Sequence, residues 1–262
     1  MADVVVGGVR HHVQRLGAAT PALPPVVFVH GLVMDNLSSF YFTLANPVAA
    51  RTEAILYDLR GHGLSERPAT GYTVATLVDD LAALLDALAV ARPVALVGNS
   101  FGGLLALAFA VAHPARVARL ALIDAHDGTL GWATQMAATL ALKGEARDAK
   151  IAASFQAWLG RHSERKRTRL ARSAEALVEG TSLVADLRES PALTAAQLAT
   201  VRCPTLALYG EHSDVRDRGE GLARTLADCR LVVVPGCTHS VLWEATAEVR
   251  TKVVDFVTGE AA

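Results

Sequence analysis

Net charge is nearly absent from this sequence, and that absence removes whole classes of partner. Across 262 residues, 25 Lys and Arg stand against 26 Asp and Glu, a formal charge of −1. Such a balance gives no electrostatic case for nucleic acid or for a membrane surface. Cysteine is scarce too: Cys203, Cys229 and Cys237 form an odd set without metal-ligand spacing, which fits reduced thiols in a cytoplasmic protein. The opening Met1-Ala-Asp-Val lacks the basic start and apolar core of a secretory signal. Long apolar runs are missing as well, since Leu104 to Ala112 falls far short of the roughly 20 residues that cross a bilayer. No lysine follows the glycines at 98–103, so a phosphate-binding loop is excluded.

What is present is apolar substance, 52% of the chain, enough for the full core of one domain. The informative stretch lies between Pro93 and His113. Val94 to Val97 is a short β-branched run suited to a buried strand, and Leu104 to Ala112 is a small-residue helix former. Between them Gly98-Asn99-Ser100-Phe101-Gly102 matches G-x-S-x-G, a strand-to-helix elbow that strains and exposes its serine while the flanking glycines give room.

Strand and helix signals alternate along the rest of the chain. Val4–Val6 and His12–Leu16 read as two edge strands joined at Gly7-Gly8, and Val26–Val29 as a buried strand ending in His30-Gly31-Leu32. A strand ending in His-Gly beside a serine elbow makes the backbone N–H groups of Leu32 and Phe101 the candidate oxyanion donors, with His30 bracing the loop. Asp35 to Ala50 reads as a capped helix beside the site entrance, Glu53–Tyr57 as a strand, and Asp80–Ala89 as an amphipathic helix. Asp58-Leu-Arg-Gly-His-Gly-Leu-Ser65 holds Asp, His and Ser too close in sequence to face one another, so it reads as a turn held by Arg60, His62 and Gly63. Further strands are expected at Arg119–Ile123, ending at Asp124, at Thr205–Tyr209 and at Leu231–Val234, with a closing helix at Trp243–Val257.

Five motifs in this order resemble the α/β-hydrolase superfamily: Val29-His-Gly-Leu32, Asp58 to Ser65, Gly98 to Gly103, Tyr209-Gly-Glu-His-Ser-Asp214 and Gly236-Cys-Thr-His239. They span nearly the whole chain except about 127–200. One departure is Asn99, where relatives commonly carry His before the nucleophile. The resemblance implies an α/β fold with a mostly parallel eight-stranded sheet flanked by helices. It implies a core of 1–126 and 201–262 with a helical lid at about 127–200. That segment carries Trp132, Met136, Leu140, Leu142, Phe155 and Trp158, then a basic run from Arg161 to Arg172 that reads as a solvated helix face.

The chain order Ser100, Asp214, His239 is the family's triad order, with Ser100 attacking, His239 carrying the proton and Asp214 orienting the imidazole. Asp124, at the end of the sixth strand, is the alternative acid, as in many polyketide thioesterases of the family. His126 and His212 are then expected at the pocket rim or surface. A serine nucleophile implies acyl transfer to water, without metal or organic cofactor, on a small-molecule acyl substrate. The leading expectation is hydrolysis of a carboxylic ester or thioester through an acyl-serine. Alternatives are a thioesterase acting on an acyl group borne by coenzyme A or an acyl carrier protein, a C–C bond hydrolase, and a non-catalytic binding protein.

Overall fold

The computed structural model describes residues 2–20, 22–146, 149, 160 and 163–259. Its eight strands are β1 Ala2–Val6, β2 Val9–Leu16, β3 Val26–Val29, β4 Ala54–Tyr57, β5 Val94–Asn99, β6 Val117–Ile123, β7 Thr205–Gly210 and β8 Cys229–Val234. They form one sheet in the order β1-β2-β4-β3-β5-β6-β7-β8. β1 and β2 pair antiparallel with each other and β2 with β4, and the remaining pairs are parallel. Because helices cover both faces, β3, β4 and β7 are buried at every residue, which is why they read as continuous apolar runs rather than alternating ones.

The longer helices are α1 Val74–Ala87, α2 Phe101–Ala112, α3 Trp132–Leu140, α4 Glu164–Gly180, α5 Leu183–Glu189, α6 Arg216–Thr225 and α7 Thr246–Thr258. Two apolar clusters sandwich the sheet. One joins it to α1 and α2 through residues such as Leu81, Leu84, Leu105 and Phe109; the other joins it to residues 37–48 and α7 through Phe40, Leu44, Val249 and Val253. Between β6 and β7 the described residues form only helices, α3 to α5 and the short Ala195–Leu198. Phe155, Trp158 and Arg161 of the expected lid lie outside the described residues.

Several sequence expectations shift in detail. β2 begins at Val9 and is not an edge, because Gly7 and Gly8, with φ of 57° and 76°, make a two-residue hairpin turn that pairs Val6 with Val9. α1 starts six residues ahead of Asp80, where the Thr73 side chain accepts the Thr76 N–H as an N-cap. The helix after Asp35 runs without interruption from Ser38 to Ala49, with a π-helical segment at Tyr41–Ala45 in its middle. The closing helix is split at Ala245 into Val241–Glu244 and α7. Among the described residues no helix is long and apolar enough to cross a membrane.

Candidate active site

Chain direction in the parallel strands collects the functional loops at one edge of the sheet, at the carboxyl ends of β3, β5, β6 and β8. Strand order reverses around β3 and β5, the position where open α/β sheets leave a crevice. Ser100 stands there, between the last residue of β5 and the first of α2, with φ 53° and ψ −118°. A non-glycine residue at such φ is strained and persists only where its surroundings fix it. Here they do: the Ser100 N–H donates to Ile123 O at 2.9 Å, and its carbonyl accepts from Gly103 at 3.0 Å. The flanking glycines are required by contact, since a Cβ on Gly98 would lie 2.4 Å from Gly102 O and one on Gly102 would lie 2.0 Å from Val29 O.

Ser100 Oγ lies 2.9 Å from His239 Nε2, and His239 Nδ1 lies 2.6 Å from Asp124 Oδ2. With a carboxylate on Nδ1, that nitrogen carries the proton and Nε2 is free to accept from the serine. The expectation that Asp214 stands behind His239 is therefore corrected. Both ring nitrogens are engaged by Ser100 and Asp124, while Asp214 is exposed in the wall of the adjoining cavity. The physical reason is the path after β7. Asp124 is fully buried and accepts the Gly210 N–H at 2.8 Å and the Ser213 hydroxyl, so the residues just before Asp214 serve to hold the other carboxylate. Tyr209 completes this support by donating its hydroxyl to Ala125 O at 2.8 Å; burial, reinforced by Asp124 and Asp127 nearby, raises that phenol well above its ordinary range.

Opposite the serine, the turn after β3 brings Leu32 to the site. Phe101 is the first residue of α2, so its N–H belongs to those a helix leaves without an intrahelical partner. Both sequence-expected oxyanion donors thus border Ser100. His30 braces as expected: Nδ1 donates to Gly31 O at 2.7 Å and Nε2 accepts from Leu59 N at 3.0 Å. Asp35, which the sequence offers only as a helix start, accepts the N–H groups of Gly31 and Asn36 at 2.8 Å each and the Ser39 hydroxyl. No local pattern marks that role, because it arises only when the loop folds back on itself.

Two cavities meet at Ser100 and His239. The larger, about 850 Å³, is walled by Leu32, Val33, α3, α4, Val184 and Val215. The smaller, about 50 Å³, is bounded by Gly31, Asp35, Asn99 and Trp243. His126 lines the large cavity with its ring 6.0 Å from that of His239, whereas His212 is exposed beside Glu211. α4 turns Ala171, Ala174 and Val178 toward the cavity, and Arg165, Arg167, Arg169 and Arg172 of the basic run are exposed. Among the described residues no three His, Cys, Asp or Glu side chains come together as a metal site requires.

The model of the α/β hydrolase fold family matches residues 24–246. A curated relative, the 2-hydroxy-6-oxo-2,4-heptadienoate hydrolase of Pseudomonas putida, is 40% identical over 124 residues, 47% of this chain and 43% of the relative. The matched stretch is thus less than half of either protein. Among solved structures, an enol-lactonase from Burkholderia xenovorans LB400 superposes with a TM-score of 0.78 at 25% identity, covering 98% of this chain and 100% of that one. A meta-cleavage product hydrolase from Pseudomonas fluorescens IP01 reaches 0.82 at 22% identity, covering 100% and 98%, a likeness of fold.

Proposed function

Because this chain belongs to the α/β-hydrolase fold family, we propose that it is a serine hydrolase cleaving a carboxylic ester through an acyl-Ser100 intermediate. The observation that carries this reading is the continuous line from Ser100 Oγ through His239 to Asp124, at 2.9 and 2.6 Å. Ser100 attacks the substrate carbonyl as its proton passes to His239 Nε2, and Asp124 stabilises the imidazolium from the Nδ1 side. Negative charge developing on the carbonyl oxygen is met by the N–H groups of Leu32 and Phe101. His239 then hands the proton to the leaving alcohol, and later draws one from the water that attacks the acyl-enzyme. The acyl portion occupies the large, mainly apolar cavity, and the helices between β6 and β7 serve as its lid. Three free cysteines suit a reducing cytoplasm.

Cleavage of a carbon–carbon bond is the second reading, favoured by the curated relative's name and by the second, small cavity beside Ser100, which Asp35 and Asn99 help to line. Ser100→Ala tests both. It should lower turnover of a p-nitrophenyl ester by roughly a thousandfold or more and abolish Ser100 labelling by a fluorophosphonate. Full activity in the alanine variant would remove the serine-hydrolase reading. Wild-type turnover of a 2-hydroxy-6-oxo-dienoate, far above that of any ester tried, would select the second reading over the first.

A further inference from the structure

The turn at residues 31–34 has an unusual distribution of hydrogen bonds. The Gly31 N–H is held by Asp35 at 2.8 Å, and Gly31 O by His30 Nδ1 at 2.7 Å. Leu32 O accepts the Met34 N–H at 2.9 Å, and the Val33 N–H donates to His62 Nε2 at 2.8 Å. Each of these fixes one peptide plane. In a trans peptide the N–H points opposite to the C=O, so holding Gly31 O turns the Leu32 N–H away from His30. Among the described residues, the Leu32 N–H is the donor in this turn that the protein leaves open.

That geometry is strained. The bond from Met34 N to Leu32 O closes a γ-turn centred on Val33, whose φ is 67°, the rare and strained hand of that turn. For a β-branched residue positive φ is an outlier in any setting. A bond strong enough to hold Val33 there has to come from a fixed partner. His62 is such a partner: it is buried, and its Nδ1 donates to Arg60 O at 2.9 Å, which leaves Nε2 as the acceptor. The turn that carries it is anchored in turn. Arg60 pairs with Asp80 of α1 through two contacts of 2.7 Å, and Asp58 accepts the N–H groups of Leu37 and Leu64 at 2.8 Å each.

We propose that His62 is a positioning residue for catalysis, clamping the strained Val33 turn so that the Leu32 N–H is presented to the substrate oxyanion. This rests on the acyl-serine reading. Burial, with His30 adding to it, keeps the His62 imidazole down at about 3, so the ring stays a neutral acceptor throughout the usual assay range.

Two polar replacements separate positioning from packing. Glutamine reaches the place of Nε2 and can accept the Val33 N–H; asparagine ends at the place of Nδ1 and cannot. His62→Asn should lower kcat for a p-nitrophenyl ester by roughly a hundredfold, the size of losing one oxyanion donor, with KM within threefold. It should weaken binding of a trifluoromethyl ketone, which forms a tetrahedral adduct on Ser100, by a similar factor, and leave inhibition by the product acid unchanged. His62→Gln should recover to within about tenfold of wild type. Near-UV circular dichroism establishes that each variant is folded. Asparagine and glutamine variants of equal activity, or a ketone that binds both as tightly as wild type, would overturn the clamp alone. A wild-type protein that a fluorophosphonate does not label would overturn the serine-hydrolase reading, and the clamp with it.

Discussion

At the scale of single residues, the point decided by geometry is which carboxylate serves His239. β6 and β7 are parallel neighbours, with Leu122 opposite Ala207 and Ile123 opposite Leu208, so Asp124 and the loop carrying Asp214 emerge side by side. Sequence order allows an acid after either strand, and the place commoner among relatives, the loop after the seventh strand, pointed to Asp214. The ranking follows from the contacts: Asp124 is wholly buried, with the His239 ring, the Gly210 N–H and the Ser213 hydroxyl converging on it, whereas Asp214 is exposed. Loss of the orienting carboxylate leaves the imidazole in the wrong tautomer and its cation unsupported. Asp124→Asn should therefore cut kcat by roughly a thousandfold or more, and Asp214→Asn by less than about tenfold. Steady-state kinetics of both variants decide this, and a reversed pattern would return the acid to the loop after β7.

The elements that carry the site differ in how plainly the sequence announces them. The β5–Ser100–α2 elbow was legible because its determinants are local: a β-branched strand, a helix of small residues, and glycines wherever backbones meet. The start of α1 lies ahead of Asp80 although its signals are local too: Thr73 caps it, and Val74, Leu77 and Val78 carry the apolar spacing on to Leu81. The break at Ala245 was not legible, since its φ of −120° and ψ of 41° interrupt an otherwise helical stretch without a proline or glycine. The elbow's glycines make a further prediction at this scale. A methyl on Gly102 would meet Val29 O at 2.0 Å and His30 O at 2.5 Å, backbone atoms of β3 and its exit that have no rotamer to yield. Gly102→Ala should force α2 away from β3 at a cost of about 3 kcal/mol or more, read as a fall in Tm of roughly 6–12 °C. Activity should drop with it, because the same displacement moves Phe101 and Leu32 apart. An unchanged Tm would mean that the two elements are not pressed together as described.

For the whole molecule, the five ordered motifs, through the resemblance they carry, implied a sheet flanked by helices, and the alternation of apolar strand runs with helix signals agreed with it. The shape of the large cavity was not readable, because it forms between helices distant in sequence, although the expected lid held Met136, Leu140 and Leu142, which line it. Its walls nevertheless make a definite claim about specificity. Leu32, Val33, Met136, Leu140 and Val178 border a space of about 850 Å³ that opens on Ser100. If the acyl chain enters it, each added methylene leaves water for an apolar wall, a gain of up to about 0.8 kcal/mol, or roughly fourfold in kcat/KM where the group is fully buried in the transition state. Along a series of p-nitrophenyl esters, kcat/KM should therefore climb from acetate to at least hexanoate before levelling. Ala174 on α4 borders the same space, so Ala174→Trp should remove most of the gain for octanoate, by roughly tenfold or more, while acetate hydrolysis changes by less than about threefold. A flat series in the wild type would place the acyl group elsewhere and leave the large cavity to the leaving group. A climbing series that Ala174→Trp does not shorten would show that the chain runs toward Val215 instead of beneath α4.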